Sequence, residues 1–252
     1  MADNESNNGS VRHRSGEFPV ASRPEERKSA QERVQAFPYR FPRDHRRMGG
    51  KYDVKENSRR LMRYFYFERC LMHAIGAWTL AIPEFEVKIE SGRHVFYHAD
   101  AAHELRVRLN EQEKRLSTID EFRDDEIDSF MTEMLSAENT AEFLVGLHLV
   151  IGRALENAYK HHIDDTDRVT DAPTIRVMKR ILMDYEPMLA WAQEAIDAYI
   201  EGGVDESKLG VWEWHLKRLL GSIGGVSGTD ERNEAPSPLR TAEKPFERNT
   251  VP

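Results

Sequence analysis

The feature that most constrains this chain is the long apolar period behind Asp171. Met178, Ile181, Leu182, Tyr185, Leu189, Ala192, Ile196 and Tyr199 recur at three- and four-residue steps, which places them on one face of an α-helix. Asp171 or Thr170 can accept the orphan N–H groups of a first turn, and Pro173 is tolerated there because its own N–H would have no partner. Gly202 and Gly203 end the run. Tyr185 falls mid-face and Met188 lies one turn on, along its edge. The spacing therefore reads as the last long helix of a four-helix bundle.

Three earlier segments carry the same period. From about Asp53, the residues Tyr64, Phe65, Glu68, Leu71, Met72, Ile75, Trp78, Thr79 and Ile82 share a face, and Pro83 kinks or ends the helix. Glu68 sits on that apolar stripe, where a carboxylate is costly unless paired or metal-bound. A second helix runs from near Glu84 or Glu90 to about Glu113, with Val95, Ala99, Ala102, Leu105 and Leu109 inward. His94 and His98 are four apart and lie toward that face, a spacing that lets two imidazoles chelate one ion or hydrogen-bond in a core. Tyr97, Asp100 and His103 lie at its margins. A third helix spans about Asn139 to His162, with Phe143, Leu144, Leu147, Ile151, Ala154, Leu155 and Ala158 as core and His148 and Tyr159 at the edge.

Between the second and third, Ile119 to Leu135 is acidic on one side and apolar on the other. It lacks the alternating acceptors and central glycine of a calcium loop and reads as a crossover helix. An extra C-terminal helix, Glu206 to Leu220, carries Trp212 and Trp214. It either packs across the bundle or anchors a homodimer, since tryptophans are common interface anchors.

The fold class is thus all-α, in three parts: an arm over 1–50, a helical bundle over 51–222 and a tail over 223–252. Arm and tail are poor in aliphatics and are expected to stay disordered or extended. Arg12, Arg14, Arg23, Arg27 and further arginines make the arm basic, suited to an acidic partner. The net charge of −8 gives no support to a nucleic-acid surface on the folded part. One cysteine, Cys70, excludes a disulfide framework or a cysteine-built metal site. No apolar run suits a signal peptide or a membrane span, so the expected location is the cytoplasm.

With the helices placed, the chain resembles ferritin-like bacterial proteins, uncharacterised or oxygenase-related. The likeness rests on Gly92, Arg93, His94, Ala99, Leu105, Arg106, Arg108 and Leu109 in the second helix. It rests again on Asp171 through Arg176, Ile181, Asp184, Glu186, Ala190, Trp191 and Ala192 in the fourth, and covers a little over half of the chain. The resemblance implies two iron or manganese ions held by carboxylates and histidines and used to activate dioxygen. Carried over by position, Glu68 is the one clear ligand to survive; on the second helix the acidic and histidine positions are occupied by Tyr97 or His98, Asp100 and Ala101. The inward pair of the fourth helix is Tyr185 and Met188, flanked by Asp184 and Glu186.

Two divalent ions in a low dielectric need several anionic ligands, and this set offers too few. Three readings are open. One is a ferritin-like protein without a complete dinuclear centre, acting as a binding or structural protein or a metal-poor enzyme. Another is a non-haem iron or manganese oxidoreductase with Glu68, His94 and His98 as ligands, in a pocket of Tyr97, Asp100, His148, Tyr159, Tyr185, Glu186 and Met188. The last is a scaffold that binds partners through the basic arm and the Trp212/Trp214 helix.

Overall fold

The computed structural model describes residues 50–243, and every regular element among them is helical. In chain order these are α1 (Val54–Trp78), α2 (Phe85–Glu111), α3 (Leu116–Asp120), α4 (Asp125–Leu135) and α5 (Thr140–Leu144). A π segment (Val145–Gly152) comes next, then α6 (Arg153–Asp165), α7 (Ala172–Glu201), α8 (Glu206–Ser222) and α9 (Arg240–Glu243). None of the described helices is long and apolar enough to cross a membrane. The expectations for the basic arm and for the last nine residues lie outside the described residues.

Side-chain caps start four of these helices. Asp53 Oδ1 accepts from the Glu56 amide at 2.7 Å ahead of α1, and Asn139 Oδ1 accepts from the Glu142 amide at 2.9 Å ahead of α5. Asp171 behaves otherwise. It stands at the N-cap of α7 but makes no cap bond with its side chain. Its buried carboxylate accepts instead from Asn57 Nδ2 at 2.5 Å, Thr166 Oγ1 at 2.6 Å, Arg108 Nη2 at 3.2 Å and the Thr174 hydroxyl. Burial alone would raise its pKa, but His162 beside it, and then Thr166, Thr174 and Asn57, outweigh that and hold the group below the ordinary carboxylate range. The residue read as a local cap therefore ties the start of α7 to α1 and α2.

The helix α1 lies along α2, α2 against α7, and α7 against α6 and the π segment. Ring contact of Tyr64 with Tyr159, centroids 5.3 Å apart, joins α1 to α6. The helix α8 covers the π segment and touches α4 and α5. Trp212 is buried, and its Nε1 donates to the Glu142 carbonyl at 3.2 Å, so this tryptophan is engaged within its own chain. Trp214 is exposed and carries the Arg218 guanidinium 5.1 Å from its ring centre.

Within residues 223–243, expected as part of a disordered tail, the run 223–227 is buried and Arg240 and Thr241 are tied to the helices, while 229–235 are exposed. Ile223 and Val226 are buried, and Arg63 reaches the carbonyls of Val226 at 3.2 Å and Gly225 at 3.4 Å while pairing with Asp124 at 2.6 Å. Gly228 has a φ of 71°, and a Cβ there would come within 2.9 Å of that same guanidinium. Further on, the Arg240 and Thr241 amides donate to the buried Glu133 carboxylate at 2.7 and 3.0 Å. Too few aliphatics for a core of its own did not prevent this segment from using the core of the helices.

Candidate functional site

Glu68, at the middle of α1, is fully buried, and its two oxygens are the meeting point of four helices. Oε1 accepts from the Tyr159 hydroxyl of α6 at 2.5 Å and from the Tyr185 hydroxyl of α7 at 2.7 Å. Oε2 lies 2.6 Å from His98 Nδ1 of α2. A carboxyl group at this depth is tolerable because three donors replace its lost water. Burial first, and then the Glu68 charge beside them, push both tyrosines well above the ordinary phenol range, so they remain donors.

One turn along, the interior holds three imidazoles. His94, His98 and His148 are each at most 1 % exposed. The His94 and His148 ring centres are 4.9 Å apart and nearly perpendicular, and Trp191 closes over His94 at 5.0 Å. His98 Nε2 and both ring nitrogens of His148 are buried without a hydrogen-bond partner. Burial, then the neighbouring His98 and Arg93, lower His94 to about 3. His148 is held well below its ordinary value by burial, then by His94 and His98. Both rings are thus neutral near pH 7, each with one lone pair and one N–H to place.

His148 reaches this position because it sits on the π segment. A π turn closes on i→i+5 bonds and so holds about one residue more than an α turn. The register of the next helix shifts by that amount: Leu155, Tyr159 and His162 are buried on α6, while Ala154 and Ala158 are only half-buried. A steady helical period places His148 and Tyr159 at an edge; the wider turn brings both inside. Gly146 and Gly152 bracket the segment where its neighbours are closest. A Cβ on Gly146 would meet Met134 Cγ at 2.8 Å and Leu216 Cδ1 at 2.9 Å, and one on Gly152 would meet Leu189 Cδ2 at 2.9 Å.

Of the other residues read from sequence, Met188 is buried and Tyr97 is half-buried with its ring 6.2 Å from His94. Asp100 pairs with Arg180 at 2.8 Å, and Glu186 is exposed; neither joins the Glu68 group. Val95 and Ala99 are half-buried, so the inner face of α2 centres on His94, His98, Ala101, Ala102, Leu105 and Leu109. Trp191 joins the histidines without being a candidate site residue from sequence; its signals there are its place in the fourth-helix likeness and a position three residues after Met188, hence on the same side of α7. Among the described residues, no three His, Cys, Asp or Glu side chains are arranged, as they stand, to hold one metal ion. A cleft of about 870 Å³ opens elsewhere, lined by Tyr52, Arg60, Tyr64, Arg153 and Lys217 among others, and includes neither Glu68 nor the three histidines.

No protein-family model, curated protein or solved structure matches the chain.

Proposed function

We propose that this is a ferritin-like four-helix-bundle protein without a dinuclear metal centre, acting as a binding or structural protein or a metal-poor enzyme. One observation carries the reading: both oxygens of Glu68 are already taken, by Tyr159, Tyr185 and His98. A dinuclear centre needs this carboxylate as a bridging or terminal ligand, together with several more from the facing helices. The positions where those would stand hold Tyr185 and Met188, which fill volume and supply a hydrogen bond, while Glu186 faces out. The residues present do not fit a pair of iron or manganese ions. The oxidoreductase alternative fares less well because it needs Glu68 as a ligand.

The test is the metal content of protein purified from cells grown with added iron and manganese. The expected result is fewer than two such ions per chain, with Glu68→Gln leaving the content unchanged. Two ions per chain that disappear in Glu68→Gln would overturn the reading.

A further inference from the structure

We infer that the cleft between α1, α6, the end of α8 and residues 225–230 is a binding site for an amphipathic organic anion, an oxyanion head on an aliphatic body. The cleft includes neither Glu68 nor the three buried histidines, so the inference goes beyond the function proposed above and stands or falls without it.

The helical period of α6 builds one wall. Arg153, Asn157, His161 and Asp165 recur at four-residue steps, and Ala154 and Ala158 run beside them, so a single side of the helix lines the cleft. The two alanines are half-buried and reach little beyond their own backbone, which leaves the space open. Leu149 and Val150 of the π segment, with Leu220 and Val226, add buried aliphatic surface. At about 870 Å³ the cleft has the size of a small-molecule site, and such sites combine apolar walls with a few convergent polar groups.

Tyr64 is the polar group that points to a ligand. Its side chain is fully buried at the cleft, and its hydroxyl has no hydrogen-bond partner. Buried polar atoms are almost always satisfied, and an acceptor oxygen in the cleft would complete this one. Burial, opposed by the neighbouring Arg60 charge, pushes the phenol up to about 12, so at neutral pH it keeps its proton and donates.

Charge fixes the sign of the head group. Arg60, half-buried one turn before Tyr64, donates from Nε to Glu56 at 2.7 Å and from Nη2 to Thr229 Oγ1 at 2.8 Å. Arg59 holds the same Glu56 carboxylate at 2.8 and 2.9 Å, so two guanidiniums share one carboxylate and a positive charge is left over. Arg153 donates to the neutral Gln193 at 2.8 Å. Of the two acids that line the cleft, Asp165 has both oxygens engaged, by Lys51 at 2.6 Å and Tyr52 at 3.2 Å. Asp230 is exposed and accepts from Ser227 at 3.2 Å. The balance favours an anion, whose oxygens take charge-assisted bonds from Arg60 and Tyr64, while Leu149, Val150, Leu220 and Val226 take the carbon body.

The experiment titrates the full chain with decanoate by calorimetry, with decanol as the uncharged control and acetate as the control without a body. The expected result is one decanoate per chain, bound roughly tenfold or more tighter than decanol, and no measurable binding of acetate. Tyr64→Phe should weaken decanoate about tenfold and melt no lower than the ligand-free wild type, since its hydroxyl has no bond to lose. Arg60→Gln should weaken decanoate at least as much and leave decanol unchanged. Ala158→Leu fills the cleft and should abolish binding; Ala154→Leu makes the same test one turn away should the first variant not fold. No binding of decanoate, or decanol bound as tightly, overturns the inference, and so does decanoate that still binds to the cleft-filling variants. A lower melting temperature for Tyr64→Phe would show the hydroxyl bonded within the protein and overturn the head-group assignment. Metal content decides none of these outcomes, and none of them decides metal content.

Discussion

His98 Nδ1 lies 2.6 Å from Glu68 Oε2, with both side chains out of reach of solvent. Together with the two tyrosine hydroxyls on Oε1, the contact makes Glu68 a hub that joins α1 to three other helices. Glu68→Ala leaves three buried donors without an acceptor, and a destabilisation of about 3–5 kcal/mol is expected in denaturant unfolding. Tyr185→Phe removes one donor and leaves Oε1 bonded to Tyr159, so about 1 kcal/mol is expected. Equal losses for the two variants would show that Glu68 is not the hub.

The glycines of the π segment give a second test. Gly146→Ala and Gly152→Ala each press a methyl into a packed side chain that must shift to admit it, at a cost of about 1–3 kcal/mol. Gly76 on α1 and Gly210 on α8 have open space around a Cβ. Alanine there is expected to stabilise by about 0.5–1 kcal/mol through helix propensity. Thermal unfolding of the four variants reads out the opposite signs.

The tail segment supplies a third. Arg63→Ala removes the cation that holds the Gly225 and Val226 carbonyls and leaves Asp124 without its closest partner. Losing one partner of a largely buried pair is expected to cost about 3 kcal/mol. The run from Gly224 to Asp230 should then be cut faster in limited proteolysis than in the wild type, with the sites read by mass spectrometry. Unchanged cleavage would mean that the segment is held by its own burial.

Glu133 sets a pH dependence. Burial opposes its charge, but donors from His215 and from Thr241 and Arg240 prevail and bring its carboxyl to about 2. The folded pKa lies below the unfolded one, so the unfolded chain binds the extra proton. The contribution is complete above about pH 4.5 and is lost as the pH falls from there toward 2, at up to about 1.4 kcal/mol per pH unit. Glu133→Gln should flatten the acid limb of stability against pH in that window; an unchanged slope would remove Glu133 as its cause.

The helical period alone was enough to show an all-α chain, the starts at Asp53 and Asn139, and a carboxylate at Glu68 on an inward stripe. These are local matters, decided by side-chain spacing and by which residue can accept the first free amides. Asp171 was legible as the start of α7, but its bonds to Asn57 and Arg108 depend on where distant helices come to lie. His148 and Tyr159 read as edge residues because a uniform 3.6-residue period cannot show a π turn. That turn exists only where the packing of Gly146 and Gly152 against neighbouring helices favours it. The docking of residues 223–243 was invisible for a related reason: its partners, Arg63, Glu133 and Glu142, lie roughly a hundred residues or more away, and no local pattern encodes a contact of that range.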